Sequence, residues 1–162
     1  IAISAVFEKP NIGSGSRGTR LIKPSDDSML WEYLPGDEYT VDVFCDTNST
    51  SICTSIRKRL VIKAGISVKG AIIRNDFIKS ESERLCKTLN IQGPCCIQWK
   101  EDMNGVPKLI ECNPRLGGST YMTSLAGGNP AQIYLDLAQG KSVNTIEPAE
   151  ITVTRYFEEV VI

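Results

Sequence analysis

Two apolar runs on either side of an Asn-Gly pair constrain the fold of this chain more than any other feature. The runs read GPCCIQWKED and VPKLIECN, and Asn104-Gly105 stands between them. Asn-Gly between two such runs is the strongest short-range signal for a β-hairpin, because both positions of a tight two-residue turn need positive φ. Such a turn pairs residue 103 with residue 106, which places Gln98 directly opposite Glu111. The sequence therefore predicts an antiparallel hairpin in this register.

Most of the remaining chain shows extended or period-two patterns. These occur at residues 2–9 and in TRLI, MLWEYL, YTVDVFCD, SICTSIRKRLVIK, GISVKGAIIR and the closing EITVTRYFEEVVI. They are separated by turn signals and are not alternated with helices. We therefore predict an α+β fold with antiparallel sheets and packed helices, because a parallel sheet would need a regular strand–helix–strand order.

Helices are predicted in three places. DFIKSESERLCKTLN is the clearest, because Ile78, Leu85 and Leu89 fall on one face. Ser80 and Glu83 would form a capping box if this helix began late. Two short helices are expected at about 119–126 and 130–139.

Length and composition limit the classes of function. The chain has 162 residues, of which 41% are hydrophobic and 23% charged, with a net charge of -1. We expect one domain over residues 1–162. The charge balance argues against a nucleic-acid partner or a membrane surface, and no apolar run approaches the roughly 20 residues needed to span a bilayer. The opening IAISAVFEKP is too short for a signal peptide and lacks its basic start. It looks like a core strand, so we expect the chain to begin inside a larger protein.

The chain contains no histidine and six cysteines, which limits its chemistry further. Histidine-based zinc sites and catalysis by Ser-His or Cys-His pairs are excluded. The cysteines form no C-x-x-C pair and lie mostly in strand patterns, where they are typical of small core residues in a reducing compartment. Cys95 and Cys96 are adjacent on a strand and should point to opposite faces. We therefore expect reduced thiols and a cytoplasmic protein.

Oxygen-bearing side chains gather at the end of the predicted hairpin. Asn113 shares the face of Glu111 by the period-two rule, and Gln98 lies across from Glu111. One carboxylate with two amides suits Mg²⁺, with Mn²⁺ as an alternative, because such a metal shares its shell with substrate phosphates. Arg115, just past the strand, would hold a phosphoryl group. The alternative interpretation is a polar strand end that faces solvent.

A glycine-rich loop follows the first predicted strand in EKPNIGSGSRG. Gly13, Gly15 and Gly18 formally match G-x-G-x-x-G, but the extended TRLIKP follows where a dinucleotide-binding fold would need a helix. A strand–loop–strand flap fits better, with backbone N–H groups that cradle phosphates and with Lys9 as a point charge. A plain flexible hairpin is the alternative.

Two further segments have weaker signals. In WEYLPGDEYTVDV, Glu32 and Leu34 would offer backbone groups to an adenine and Glu38 would bind ribose hydroxyls. In IRKRLVIKAG, Arg57 and Arg59 share one face of a strand. They would form a solvated basic edge or, if the strand lines a cleft, face a γ-phosphate or an anionic substrate.

In this order, the motifs resemble the ATP-grasp superfamily, and most closely its carbamoyl-phosphate-synthase-like branch. The resemblance covers nearly the whole chain and is most specific in IECNPRLGGST. It implies that adenine lies against the backbone of Glu32, Tyr33 and Leu34 and that Mg²⁺ is held by Gln98, Glu111 and Asn113. It also implies that Arg115 contacts the transferring phosphate and that Arg59 contacts the γ-phosphate or the acid substrate. The residues that it implies for the ATP phosphates are Lys9, Gly13, Ser14, Gly15, Ser16 and Gly18.

The implied activity is that of an ATP- and Mg-dependent ligase. A carboxylate or bicarbonate would be activated as an acyl phosphate and then attacked by an amine. The usual N-terminal subdomain is absent from this sequence, and the stretch between TRLI and MLWEYL is short for the superfamily. A nucleotide-binding regulatory module without turnover is therefore the alternative function. We expect a homo-oligomer or a part of a larger chain.

Overall fold

The computed structural model describes residues 6–10, 20–22, 28–156, 158, 160 and 161. The strands are β1 Val6–Pro10, β2 Arg20–Ile22, β3 Ser28–Glu32, β4 Glu38–Cys45, β5 Ser51–Lys63, β6 Ile66–Ile73, β7 Gly93–Glu101, β8 Pro107–Asn113 and β9 Thr152–Thr154. The helices are α1 Asp76–Thr88, α2 Tyr121–Leu125 and α3 Pro130–Ala138.

The described strands form two antiparallel sheets. The smaller sheet has the order β2-β1-β3 and the larger one the order β8-β7-β4-β5-β6-β9. All of the paired strands within these sheets are antiparallel. The predicted α+β class with antiparallel sheets is confirmed. The predicted flap residues Gly13, Ser14, Gly15, Ser16 and Gly18 lie outside the described residues.

The two faces of the larger sheet carry different side chains, because successive residues of a strand point to opposite faces. On one face, α1 packs over a core that includes Val41, Val43 and Ile97. On the other face, α3 places Ile133 against Phe44. The polar residues of interest lie on this second face.

The β7–β8 hairpin has the predicted central pair but not the predicted turn. The loop is closed by a hydrogen bond from the backbone N–H of Asp102 to the carbonyl of Val106, at 3.0 Å. Gly105 has φ 75°, whereas Asn104 does not have the positive φ that a two-residue turn requires. Near the loop the register is thus one residue away from prediction, with Trp99 opposite Leu109. An irregularity between Gln98 and Trp99 shifts it back, so Gln98 does pair with Glu111.

Asp102 explains why the loop is longer than a two-residue turn. Its carboxylate accepts hydrogen bonds from the backbone N–H groups of Asn104 and Val106, at 2.8 and 3.0 Å. These bonds hold the pKa of Asp102 below its usual range. An Asp that folds back on its own loop is a common alternative to a tight turn.

Helix α1 begins earlier than a capping box at Ser80 and Glu83 requires, so that prediction is wrong. Asn75 is the N-cap, and its side chain accepts from the N–H of Ile78 at 3.0 Å. Glu83 instead accepts from the Thr54 hydroxyl at 2.7 Å. The buried helix positions are Ile78, Ser82 and Cys86, whereas Leu89 is 53% exposed at the C-cap.

Other predicted elements are confirmed with changed bounds. Helices α2 and α3 lie where short helices were expected, but the closing strand covers only Thr152–Thr154. The six cysteines are free thiols in this structure. None of the helices in the described part of the chain is both long and apolar enough to span a bilayer.

The cap of α1 gives a direct test. We expect Asn75→Ala to lower the free energy of unfolding by about 1 kcal/mol, because the N–H of Ile78 loses its partner. Ser80→Ala should leave it unchanged or raise it by a few tenths of a kcal/mol, since Ala is the better helix former. Urea unfolding followed by circular dichroism measures both. A larger loss of unfolding free energy in the Ser80 variant than in the Asn75 variant would favour the capping box at Ser80 and Glu83.

Candidate active site

A continuous row of polar side chains crosses four strands of the larger sheet. Arg57 on β5 is paired with Thr40 on β4, Thr40 with Gln98 on β7, and Gln98 with Glu111 on β8. Paired residues of antiparallel strands place their side chains on the same face. The row therefore joins a guanidinium, a hydroxyl, an amide and a carboxylate on the face opposite α1.

A cleft lies over this row and contains about 290 Å³ of empty space, part of it open to solvent. It is lined by Thr40, Arg57, Arg59, Gly65, Ile66, Ser67, Cys96, Gln98, Gly118 and Ser119. Its described lining has two guanidinium groups and no carboxylate, which favours an anionic occupant.

The residues predicted to hold a metal lie side by side at the edge of the cleft. Gln98 faces Glu111, and Asn113 follows on the same face of β8, opposite Cys96. All three side chains are half-buried. They make no hydrogen bond or ion pair with the residues that the structure describes, so their oxygens are available to a ligand.

This donor set fits a magnesium ion that is shared with a nucleotide. Within the described part of the chain, no group of three or more cysteines and carboxylates is placed to hold a metal unaided. Mg²⁺ is commonly held by one or two carboxylates together with substrate phosphates and water, rather than by a cage of protein ligands. One carboxylate, Glu111, with two amide oxygens matches the shared kind of site.

A buried ion pair lies next to the row. Arg57 donates through Nη1 to Asp42 at 3.0 Å, and the two side chains are 0% and 1% exposed. The hydroxyls of Thr120 and Thr123 donate to the same carboxylate at 2.9 and 2.6 Å. Thr120 lies just before α2 and Thr123 lies within it, so this cluster attaches the segment after β8 to the sheet.

The interpretation of Arg57 as a solvated basic edge is wrong. The Arg57 side chain lies across Gly70 of β6, where an added Cβ would come within 2.9 Å of two of its carbon atoms. Nε and Nη2 of Arg57 are buried and have no hydrogen-bond partner among the residues that the structure describes. Arg57 lines the cleft, as the other interpretation required.

The structure brings two predicted ligand-binding residues together as an ion pair. Nη1 of Arg59 donates to Glu38, while Nε donates to the Ser67 hydroxyl at 3.1 Å and Nη2 to the carbonyl of Gly65 at 2.6 Å. Lys100 lies 3.8 Å from the other oxygen of Glu38. Each nitrogen of Arg59 is thus occupied by a protein group, and the roles of Arg59 and Glu38 toward a nucleotide stay predictions.

A glycine is needed at position 117, where the chain passes over Cys96. A Cβ on Gly117 would lie 2.7 Å from the Cys96 sulfur, and the N–H of Gly117 donates to the Thr120 hydroxyl at 2.9 Å. Burial raises the pKa of the Cys96 thiol to about 12, so it stays protonated and is a poor metal ligand. Arg115 is exposed and donates to the carbonyl of Leu116 at 3.0 Å.

The predicted adenine-contacting residues lie where the chain passes from one sheet to the other. Glu32 ends β3, and Tyr33 and Leu34 follow without regular structure. Gly36 then donates its N–H to the Glu101 carbonyl at 3.0 Å. Lys9 lies on β1 opposite Met29.

Sequence reasoning predicted that Gln98, Glu111 and Asn113 lie together at this edge of the sheet but missed the buried cluster behind them. Gln98, Glu111 and Asn113 are brought together, whereas Lys9 lies on the smaller sheet. Asp42, Thr120 and Thr123 were not singled out. The available signal was an acidic residue at an inward position of the strand pattern YTVDVFCD, since a buried carboxylate needs a partner.

Comparisons with known proteins agree with the sheet architecture. A family model described as ATP-grasp in the biosynthetic pathway with Ter operon matches residues 24–160. The carbamoyl phosphate synthase large chain of Methanothermobacter thermautotrophicus is 26% identical in an alignment of 122 residues, and the match covers 68% of this chain and 12% of that protein.

Two solved structures share the fold. The biotin carboxylase domain of Hydrogenobacter thermophilus 2-oxoglutarate carboxylase, in complex with MgADP, ADP and bicarbonate, has a TM-score of 0.69 and 15% identity over 85% of this chain and 37% of that one. N5-carboxyaminoimidazole synthetase of Staphylococcus aureus, complexed with ADP, has a TM-score of 0.70 and 16% identity over 89% and 44%. The chain thus spans less than half the length of each of these relatives.

The buried ion pair predicts a large difference between two aspartates of the same region. Asp42→Ala leaves the Arg57 guanidinium buried without a charge partner, and we expect a loss of about 3 to 5 kcal/mol in the free energy of unfolding. Asp37→Ala removes an exposed pair with Lys58 and should lose less than about 1 kcal/mol. Chemical denaturation measures both variants. Equal losses would mean that the buried pair does not stabilise the fold.

Proposed function

The chain belongs to the ATP-grasp family described for a biosynthetic pathway with the Ter operon, and from this membership we propose that it is the nucleotide-binding part of an ATP- and Mg-dependent ligase. The proposed reaction activates a carboxylate or bicarbonate as an acyl phosphate, which an amine then attacks. The observation that carries this proposal is the cross-strand row from Arg57 to Glu111, at whose end the side-chain oxygens of Gln98, Glu111 and Asn113 have no partner among the described residues.

The proposed nucleotide position follows from the placement of the predicted residues. Adenine would contact the backbone of Glu32, Tyr33 and Leu34, and Glu38 would bind the ribose. Lys9 and the loop that contains Gly13, Ser14, Gly15, Ser16 and Gly18 would hold the phosphates. The phosphate end would then lie over the cleft whose lining carries Arg57 and Arg59.

Gln98, Glu111 and Asn113 would hold Mg²⁺, or Mn²⁺ in its place, together with the phosphates of ATP. When bound, the metal would neutralise charge that develops on the transferring phosphoryl group. The half-buried position of the three side chains would limit the number of competing waters.

The protein's own contribution would be to position and to stabilise charge. The acid substrate would attack the γ-phosphorus, the bond between that phosphorus and the β–γ bridging oxygen would break, and ADP would leave. The amine would then attack the acyl carbon and expel phosphate. Arg115 and Arg59 would compensate the negative charge on the phosphoryl oxygens, and no side chain needs to act as a nucleophile. This agrees with the absence of histidine from the chain.

One observation favours the alternative of an ATP-binding regulatory module. All three nitrogens of Arg59 donate to groups of the protein, and one of those groups is Glu38. A module that binds nucleotide without turnover would keep this pair. The ligase requires that it open when a phosphate arrives.

We propose that the protein acts with a small carboxylate, a small amine and ATP, as a homo-oligomer or as a part of a larger chain. The Hydrogenobacter domain that shares its fold is described as a dimer. A cytoplasmic location stays a prediction from the cysteine pattern.

The proposed magnesium site at Gln98, Glu111 and Asn113 is tested by Glu111→Ala. We expect this variant to lose the magnesium-dependent part of its ATP affinity and to keep its fold, because Glu111 makes no described ion pair that the fold requires. Isothermal titration with ATP, with and without MgCl₂, measures that part. Glu81→Ala on the surface of α1 is the control, since Glu81 pairs only with Arg84 there. Unchanged Mg-ATP affinity in the Glu111 variant would leave IECNPRLGGST as a polar strand end.

Turnover separates the ligase from the regulatory module. We expect the full chain with Mg-ATP, an ammonium salt and bicarbonate or a panel of small carboxylates to release ADP at a rate that depends on the acid. Coupled detection of ADP and phosphate measures this rate, and Arg115→Ala should reduce it while Mg-ATP still binds. Binding of Mg-ATP without acid-dependent ADP release would favour the module.

A further inference from the structure

Four of the six cysteines form a chain of contacting thiols in the core beneath α1. Cys45 lies on β4, Cys86 on α1, Cys95 on β7 and Cys112 on β8. The Cys86 thiol contacts those of Cys45 and Cys95, and the sulfur atoms of Cys95 and Cys112 lie 3.5 Å apart. Cys45, Cys86 and Cys95 are at most 1% exposed, whereas Cys112 is half-buried. The thiol chain therefore reaches the surface at Cys112.

The hairpin register explains the contact between the last two thiols. Cys112 is opposite Ile97, and Cys95 is two residues before Ile97 on the same face of β7. Diagonal neighbours of this kind are farther apart than directly opposed residues, and here the two sulfur atoms lie 3.5 Å apart because both side chains lean towards each other. A disulfide has a sulfur–sulfur distance of about 2.05 Å, so the two thiols need to approach by roughly 1.5 Å. Because diagonal neighbours are spaced more widely than most disulfide-linked residues, the bond also needs a small shift of β8, which is the edge strand of the sheet.

We propose that Cys95 and Cys112 are a site of reversible two-electron oxidation, at which a peroxide converts the two thiols into a disulfide that cross-links β7 and β8. The Cys112 thiol attacks one peroxide oxygen, which gives a sulfenic acid on Cys112 and releases one water from hydrogen peroxide. The Cys95 sulfur then attacks the Cys112 sulfur and expels hydroxide, which takes up the Cys95 proton and leaves as a second water. Two thiols are oxidised to a disulfide and one peroxide is reduced to two waters.

The other cysteines lack one of the two requirements, which are access and a partner. Cys45 and Cys86 contact each other but are closed to solvent. Cys96 is next to Cys95 in sequence but lies on the opposite face against Gly117, and Cys53 belongs to the separate cluster with Phe44 and Ile133. A metal is not the better explanation, because the described cysteines and carboxylates form no group placed to hold one.

The cross-link would form next to the residues proposed to bind magnesium. Cys112 stands between Glu111 and Asn113, and its disulfide would tie their strand to β7, which carries Gln98. Formation of the disulfide does not depend on the function proposed for those residues. The chemistry of the thiols and the binding of Mg-ATP can therefore succeed or fail separately.

The experiment uses the reduced full chain, which is treated with a few equivalents of hydrogen peroxide and quenched in acid. Free thiols are then counted with a maleimide in denaturant, and linked peptides are identified by mass spectrometry. We expect the count to fall from six to four, with one linked pair that contains Cys95 and Cys112, and to return to six after dithiothreitol.

Variants assign the two sulfurs. Cys112→Ser has five thiols and should keep all five, and Cys95→Ala should show no linked pair. Cys96→Ser is the matched control, because it is buried and adjacent to Cys95 in sequence, and its count should fall from five to three. Retention of six thiols in the parent protein, a linkage between other cysteines, or irreversible oxidation of Cys112 alone would overturn the proposal.

Discussion

The buried carboxylate of Asp42 holds together the elements on the cleft side of the larger sheet. It accepts from Arg57 on β5 and from the hydroxyls of Thr120 and Thr123, so that β4, β5 and the segment after β8 meet at one group. Burial of such a charge is unfavourable unless it is paired and hydrogen-bonded, and three donors fulfil that condition here. The segment that follows Arg115 is thereby fixed over the sheet.

The alternation of side chains lets one sheet serve two purposes. The residues of β4 and β7 that face α1 are apolar or small, as in Val41, Val43 and Ile97, and they form the core. Their sequence neighbours Thr40, Asp42 and Gln98 face the cleft. A one-residue shift would exchange these two sets and expose the core, so the packing under α1 also fixes the register of the polar row.

The sequence predicted the antiparallel architecture and the Gln98–Glu111 pair because both follow from local patterns. The Gln98–Glu111 pair was predicted correctly although the turn was not. The longer Asp102–Val106 loop shifts the register by one residue, and the irregularity between Gln98 and Trp99 shifts it back. The buried cluster was not predictable in this way. Its members are far apart in sequence, with Asp42 and Thr123 separated by 81 residues, and only tertiary packing brings them together. The flap lies outside the described residues and stays a prediction.

The Arg59–Glu38 ion pair involves two residues that the proposed function assigns to ATP. Arg59 is 5% exposed and needs an acceptor for its charge, and Glu38 at 20% exposure supplies one. A phosphoryl group that enters the cleft would offer Arg59 another anion, so the guanidinium would exchange partners without being left unpaired. Glu38 would keep Lys100 nearby and become free for the ribose hydroxyls. The two residues whose roles were inferred from separate motifs would then act in one exchange, in which phosphate and ribose bind together.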